Sequence, residues 1–165
     1  MPQAIFLVNS MVNIRIGEKG DLPDLLLLVK ELAIYENAEN EVETTLESME
    51  ADAFGGQKLF NFLVAEVENE ILATAVYFYT YSTWKGKTLY LEDIVVNQQH
   101  RRKGIGTLLF NHLLFIAKNE SVKRMSWQVL NWNEPAIEFY KKIDTIFDSE
   151  WINCKLTFDQ LQNKR

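Results

Sequence analysis

The periodicity of apolar and polar positions divides the chain into short segments of two kinds. Val12, Ile14 and Ile16 alternate with polar residues and predict a strand over residues 12–16. Gly17 and Gly20 bracket turn material, and Asp21 ahead of Pro23 is a cap-plus-early-proline start for a helix. Leu28, Leu32 and Tyr35 continue that helix at helical spacing across residues 25–35. A second helix is expected from Thr44 or Thr45 to about Ala53, closed by Gly55 and Gly56.

The middle of the chain reads as sheet. Residues 62–67 form a strand, 68–70 a turn and 71–81 an aromatic-rich strand, which together predict a hairpin. A connection containing Gly86 leads to a third strand over 88–96. Its run Ile94, Val95, Val96 is apolar on both faces, as in a buried central strand. A helix over 104–119 follows, with Leu108, Leu109, His112, Leu113 and Ile116 along one face. Residues 122–130 are strand-like, Pro135 opens a short helix to about Lys142, and residues 151–158 alternate as a final strand. No repeat, low-complexity tract or linker interrupts this order, so residues 1–165 are expected to form a single mixed α/β domain.

Composition narrows the setting. At 165 residues and 47% hydrophobic content, the chain can bury a sizeable core. No apolar run reaches the roughly 20 residues that span a bilayer, so no membrane role is expected. Residues 4–8 are apolar but follow no positive charge, which disfavours a secretory signal. Met11 is a candidate original start, with residues 1–10 a dispensable extension. Cys154 is the only cysteine, so neither a disulfide framework nor metal-ligand spacing is present, and a reducing cytoplasm fits.

Charge is unevenly spread. The net −6 divides into −10 over residues 1–99 and +4 over 100–165, and residues 31–52 hold eight carboxylates without a Lys or Arg. Such a front half attracts a small cation and repels nucleic acid, while the basic back half suits an anionic cofactor. Solvated charged faces would account for most of these residues equally well.

The chemistry concentrates after the third strand of the meander. A buried strand ends at Val96, a basic stretch with Arg101, Arg102 and Lys103 follows, and Gly104, Ile105, Gly106 and Thr107 open a helix. Free N–H groups and the positive dipole end at a helix start suit a pyrophosphate, and glycine lets phosphate approach the backbone. Read alone, Arg-x-x-Gly-x-Gly also fits an ordinary loop-to-helix joint beside a solvated basic run.

The wider context resembles the GNAT N-acetyltransferases, whose acetyl-CoA signature is Gln/Arg-x-x-Gly-x-Gly/Ala, matched here by Arg101, Gly104 and Gly106. Tyr90, Leu91, Glu92, Asp93 and Ile94 ahead of the loop, and the run from Trp132 to Lys141 after it, resemble the diamine branch. That branch comprises spermidine/spermine and thialysine acetyltransferases. Lys30, Glu31, Leu32 and Ala33 with Tyr35 and Glu36, the run from Leu63 to Glu66, and the run from Ser82 to Gly86 extend the likeness over nearly all of residues 12–156.

The resemblance implies the GNAT fold, a mixed central sheet splayed between two parallel strands, here those ending near Val96 and Leu130. The pantetheine arm would pair with the exposed backbone like an added strand, with Ile94, Val95 and Val96 contributing and an N–H stabilising the oxyanion. The cofactor contacts would fall on residues 101–107 together with Asn133, Pro135 and Ala136. Tyr140 resembles the general acid that protonates the departing thiolate, although by itself it also fits a core tyrosine like its neighbour Phe139. Glu92 resembles the carboxylate that takes a proton from the amine, directly or through water, and otherwise fits a strand-edge surface acid. In a regular strand Glu92 and Asp93 would face opposite sides. Tyr35, Glu36, Ser82, Thr83, Asp93 and Glu150 are the further substrate-contact candidates. A homodimer and a small amine acceptor are implied, without a metal.

Some positions depart from the branch. Ser82 stands where polyamine-acting members carry an acid, so Ser82 with Thr83 looks more like the thialysine-acting side. Asp144 stands where most members have glycine, and the link from Tyr140 to Trp151 is short. Cys154, His100 and His112 lack the arrangement of a nucleophile with its base, and packing or solvated roles suit them. Acetylation of a protein amine and a non-catalytic acyl-CoA-binding module are the alternative readings. The second is disfavoured by retention of Tyr140 and Glu92.

Overall fold

The computed structural model describes residues 11–164, so the extension expected over residues 1–10 lies outside the described residues. The chain divides into two compact units, Met1–Gln128 and Val129–Arg165.

The larger unit is built on a five-stranded sheet in the order β1 (Asn13–Ile16), β2 (Asn61–Val67), β3 (Glu70–Ser82), β4 (Gly86–Val96) and β5 (Met125–Ser126). The first four strands are antiparallel neighbours, and β5 joins β4 in parallel. Glu68 and Asn69 both have positive φ, the left-handed pair that closes a tight hairpin with the twist of its strands. Helix α1 (Leu22–Tyr35) and helix α2 (Leu46–Phe54) precede β2, and α3 (Ile105–Asn119) follows β4. Apart from β5, these elements match the expected segments closely.

Burial follows the period-two pattern. On one side, Phe62, Val64 and Val76 pack with Leu22, Leu25 and Leu26 of α1 and Met49 of α2. On the other, α3 buries Ile105, Leu109, Phe110 and Leu113 while contacting β1 to β4. With both faces covered, Phe62, Leu63, Val64 and Ala65 are all buried, which explains why β2 reads as a continuous apolar run. Gly17 is obligatory here, because a Cβ would overlap the Phe62 ring.

Three expectations are corrected. Asp21 does not cap α1 with its side chain. Its carboxylate instead accepts hydrogen bonds from Arg15 at 2.6 and 2.9 Å and from the Glu18 N–H at 2.7 Å. Hydrogen bonding to Arg15 holds the Asp21 carboxyl below its ordinary pKa. The strand expected over 122–130 shrinks to Met125–Ser126, because its pairing with β4 ends at Tyr90↔Ser126, just before a bulge re-aims β4.

The third correction lies in the smaller unit, which holds α4 (Glu134–Lys141) and α5 (Phe158–Asn163). Of residues 151–158, expected as a strand, 151–157 take no regular secondary structure and Phe158 begins α5. Alternation specifies faces but not a partner, and this unit has no strand among the described residues to pair with them.

Candidate functional site

The β4–α3 junction combines a short turn with a left-handed entry. Asn97 caps the turn Gln98–His100 by accepting from the Gln99 N–H at 3.1 Å. Arg102 (φ 61) and Gly104 (φ 86) then swing the chain into α3. Gly104 is the N-cap and offers no side chain, and the first helical bond runs from the Leu108 N–H to the Gly104 carbonyl at 3.1 Å. The N–H groups of Ile105, Gly106 and Thr107 therefore open the helix without a side-chain cap. A Cβ on Gly106 would meet only Val96 Cγ2, at the ordinary contact distance of 3.4 Å. Among the described residues nothing demands glycine there, whereas a phosphate against the helix start would. The donor set and the open approach thus fit the diphosphate of acetyl-CoA. Arg102 is exposed and Lys103 half-buried beside this end.

Arg101 is placed differently. Its Nε donates to the Val96 carbonyl at 3.0 Å, its guanidinium lies 4.9 Å over the Tyr35 ring, and Glu31 sits 3.5 Å away. These contacts hold the loop to the strand end and to α1.

Backbone alternation locates the remaining donors. The Asn97 N–H bonds the Leu72 carbonyl at 2.8 Å, so in this antiparallel ladder Val95 also turns its backbone groups to β3. Ile94 and Val96 turn theirs to the other side, where β5 has already ended. With the Val96 carbonyl taken by Arg101, the groups on that side are the Ile94 N–H and carbonyl and the Val96 N–H.

The bulge also decides where the carboxylates go. Tyr77 pairs with Leu91 and Val76 with Asp93, leaving Glu92 as the extra residue. The regular alternation expected for Glu92 and Asp93 is therefore replaced by a change of phase. Leu91 faces with Tyr77, whereas Asp93 faces with Val76, on the side packed by α1. Glu36 ends α1 on that side. Burial, then the charges of Glu92 and Glu36, push the Asp93 carboxyl up to about 6. Desolvation also raises Glu36. The Tyr90 hydroxyl is raised by burial and then by Glu92 and Asp93. Three carboxylates thus share one field at the end of α1, and a cation entering it would relieve their repulsion.

Ser82 and Thr83 lie elsewhere on the chain. Ser82 pairs with Gly86 at the far end of the β3–β4 hairpin, where its hydroxyl accepts from the N–H groups of Trp84 at 3.3 Å and Lys85 at 3.2 Å. From Gly86 to Asp93 is roughly 20 Å of strand. Within one chain, Ser82 is therefore apart from the carboxylates.

In the smaller unit, Asn133 caps α4, its side chain accepting from the Ala136 N–H at 3.3 Å, and Pro135 occupies the first turn. Tyr140 is buried with its ring 5.3 Å from that of Phe139, and desolvation pushes its hydroxyl up to about 12. Glu150 is exposed, its N–H donating to Asp148 at 3.0 Å. Cys154 is exposed, and His112 is half-buried against Phe115. Among the described residues, no group of three or more His, Cys, Asp or Glu could hold a metal ion, and no helix is long and apolar enough to cross a membrane.

Glu31 carries a further signal in the sequence. It stands in the run Lys30 to Ala33, one helical turn before Tyr35, and its carboxylate reaches the β4–α3 loop at the Gln98 N–H.

Known proteins resemble this chain over most of its length. The acetyltransferase (GNAT) family model matches residues 28–144. Thialysine N-epsilon-acetyltransferase of Mus musculus is 35% identical over 80% of this chain and 82% of its own length. The Bos taurus enzyme of the same name is 33% identical over 81% and 84%. A human spermidine/spermine N(1)-acetyltransferase-like protein is 38% identical over 77% of this chain, in a segment spanning 19% of that protein. Among solved structures, an integron cassette protein of V. cholerae superposes with a TM-score of 0.76 at 24% identity, covering 92% of this chain and 96% of its own, and shares the fold. These matches, spanning loop, meander and helices alike, establish that the chain belongs to the acetyltransferase (GNAT) family and transfers an acetyl group from acetyl-CoA to an amine.

Proposed function

We propose that the acceptor is the primary amine of a small lysine-like amino acid such as thialysine, or of a di- or polyamine, and that it attacks directly in a ternary complex. The observation that carries this reading is the shared field of Glu36, Glu92 and Asp93, with Asp93 turned to the α1 side and its carboxyl raised to about 6. The thialysine acetyltransferases among the relatives support the amino-acid acceptor.

Acetyl-CoA supplies an acyl carbon activated by a thiolate leaving group. The residues of this chain do the rest. An ammonium near pKa ~10.4 must lose a proton before its nitrogen can form the new C–N bond. Asp93 and Glu36 hold it by charge, and Glu92, exposed on the bulge, takes the proton. The Ile94 N–H faces the developing oxyanion. Residues 105–107 hold the diphosphate through their N–H groups, and Asn133, Pro135 and Ala136 build a second cofactor contact. Tyr140 keeps its proton at neutral pH, gives it to sulfur as the C–S bond breaks, and is reprotonated by the second proton that the acylated nitrogen sheds. The same reading takes residues 1–165 as one catalytic domain, cytoplasmic, homodimeric and metal-free. Ser82, Thr83 and Glu150 stand as acceptor contacts on resemblance alone.

Turnover should be measured with thialysine, lysine, spermidine, putrescine and a basic peptide. Thialysine or a diamine is expected to give the highest kcat/KM. Preference for the peptide would overturn the small-acceptor reading in favour of protein acetylation.

A pH dependence follows from Asp93. Below pH 6 its carboxyl is protonated and the attraction for the ammonium falls, so kcat/KM for the acceptor should rise as pH passes through about 6. Asp93→Asn should remove this limb while leaving the rise caused by the amine's own deprotonation. An unaltered limb in the variant would take Asp93 out of acceptor binding.

A further inference from the structure

The loop that opens α3 has no ladder of its own, since Arg102 and Gly104 both leave the extended region before the helix begins. Something must set its position at the entry, and the contacts converge on one side chain of α1. Glu31 accepts from the Gln98 backbone N–H at 2.6 Å and from Asn97 Nδ2 at 3.0 Å, and it lies 3.5 Å from the Arg101 guanidinium. Arg101 in turn donates to the Val96 carbonyl and covers the Tyr35 ring. A charge-assisted bond to a backbone N–H is among the strongest constraints a side chain can impose on a loop. Here it fixes the strand end, the turn and the loop against one face of α1.

We propose that Glu31 is a positioning residue for both substrates. It sets the height of the N–H groups of residues 105–107 relative to the Ile94 and Val96 backbone. The same stretch of α1 ends in Tyr35 and Glu36, beside Asp93, so the helix gauges the cofactor loop and the carboxylate field from one point. Glu31 touches neither reacting atom. This inference rests on the reading that the loop through residue 107 holds acetyl-CoA.

The test compares Glu31→Ala and Gly106→Glu in the full chain by calorimetry with acetyl-CoA, steady-state kinetics and thermal melting. Loss of a constraint on a binding loop is expected to raise the acetyl-CoA Kd and the KM of both substrates in Glu31→Ala, roughly 10–100-fold, with kcat at saturation little changed. A purely structural Glu31 would instead lower the melting temperature and the active fraction, hence kcat, at unchanged KM, and that result overturns the proposal. Should Glu31→Ala fail to fold, Glu31→Asp keeps the charge but withdraws the carboxylate by one methylene. It is expected to raise the same KM values about tenfold, and unchanged values there overturn the proposal equally. Normal acetyl-CoA binding in Gly106→Glu would show that the loop reading itself is wrong. Lost binding there with normal binding in the Glu31 variant would defeat the Glu31 assignment alone.

Discussion

Tyr140→Phe is expected to lower kcat by about 10²–10⁴-fold while leaving acetyl-CoA affinity close to that of the parent. Burial has already pushed the hydroxyl up to about 12, so at neutral pH it is a proton donor and never a phenolate. A departing thiolate needs such a donor, and Phe cannot supply one. The substitution deletes a single oxygen and keeps the ring that packs edge-on to Phe139. Its cost to folding is that of one buried hydrogen-bonding group, about 1 kcal/mol, far too small to mimic a thousandfold loss of turnover. Single-turnover rates are the appropriate measurement, because slow product release can hide a chemical step. A near-parental single-turnover rate would remove Tyr140 from proton transfer.

Gly106→Glu is expected to weaken acetyl-CoA binding by about 100-fold or more, since like charges pressed together in an interface cost several kcal/mol and each ~1.4 kcal/mol is a factor of ten. The position suits this test better than Gly104. Gly104 has φ 86, so any side chain there strains the backbone as well as crowding the ligand. Gly106 is already helical, and among the described residues its added Cβ finds only Val96, at ordinary contact distance. Glutamate in the first turn is moreover favourable to a helix dipole. The variant should therefore melt at or above the parental temperature while calorimetry reports lost affinity. Retained affinity would move the diphosphate away from this helix start.

Much of this architecture was legible because local pattern and tertiary demand coincide. The meander of β2, β3 and β4 announces itself through apolar runs and turn residues, and α3 through its glycine entry and apolar face. The failures share a cause. At residues 122–130 and 151–158 the alternation of a strand is present, but a ladder needs a partner edge, and a single sequence does not say where that edge stops. Arg101 illustrates a second limit. Its place in the signature is plain from spacing, yet its guanidinium serves a carbonyl, a ring and Glu31, which no spacing argument reveals. The bulge at Glu92 was hidden for a third reason. Bulges add a residue without marking it, so the phase change that carries Asp93 to the α1 side appears only once both strands are in register.

That same unpaired position gives β4 an unusual tolerance to changes in length. Glu92 has no register partner, so removing it would leave Leu91 opposite Tyr77 and Asp93 opposite Val76, each still facing its own side. An insertion or deletion anywhere else along β4 would reverse every side chain on one side of it. The strand could thus lose Glu92 and become a more regular ladder, at the expense of the carboxylate it displays there. The residue at position 92 therefore adds a displayed carboxylate to β4 rather than a rung to its ladder.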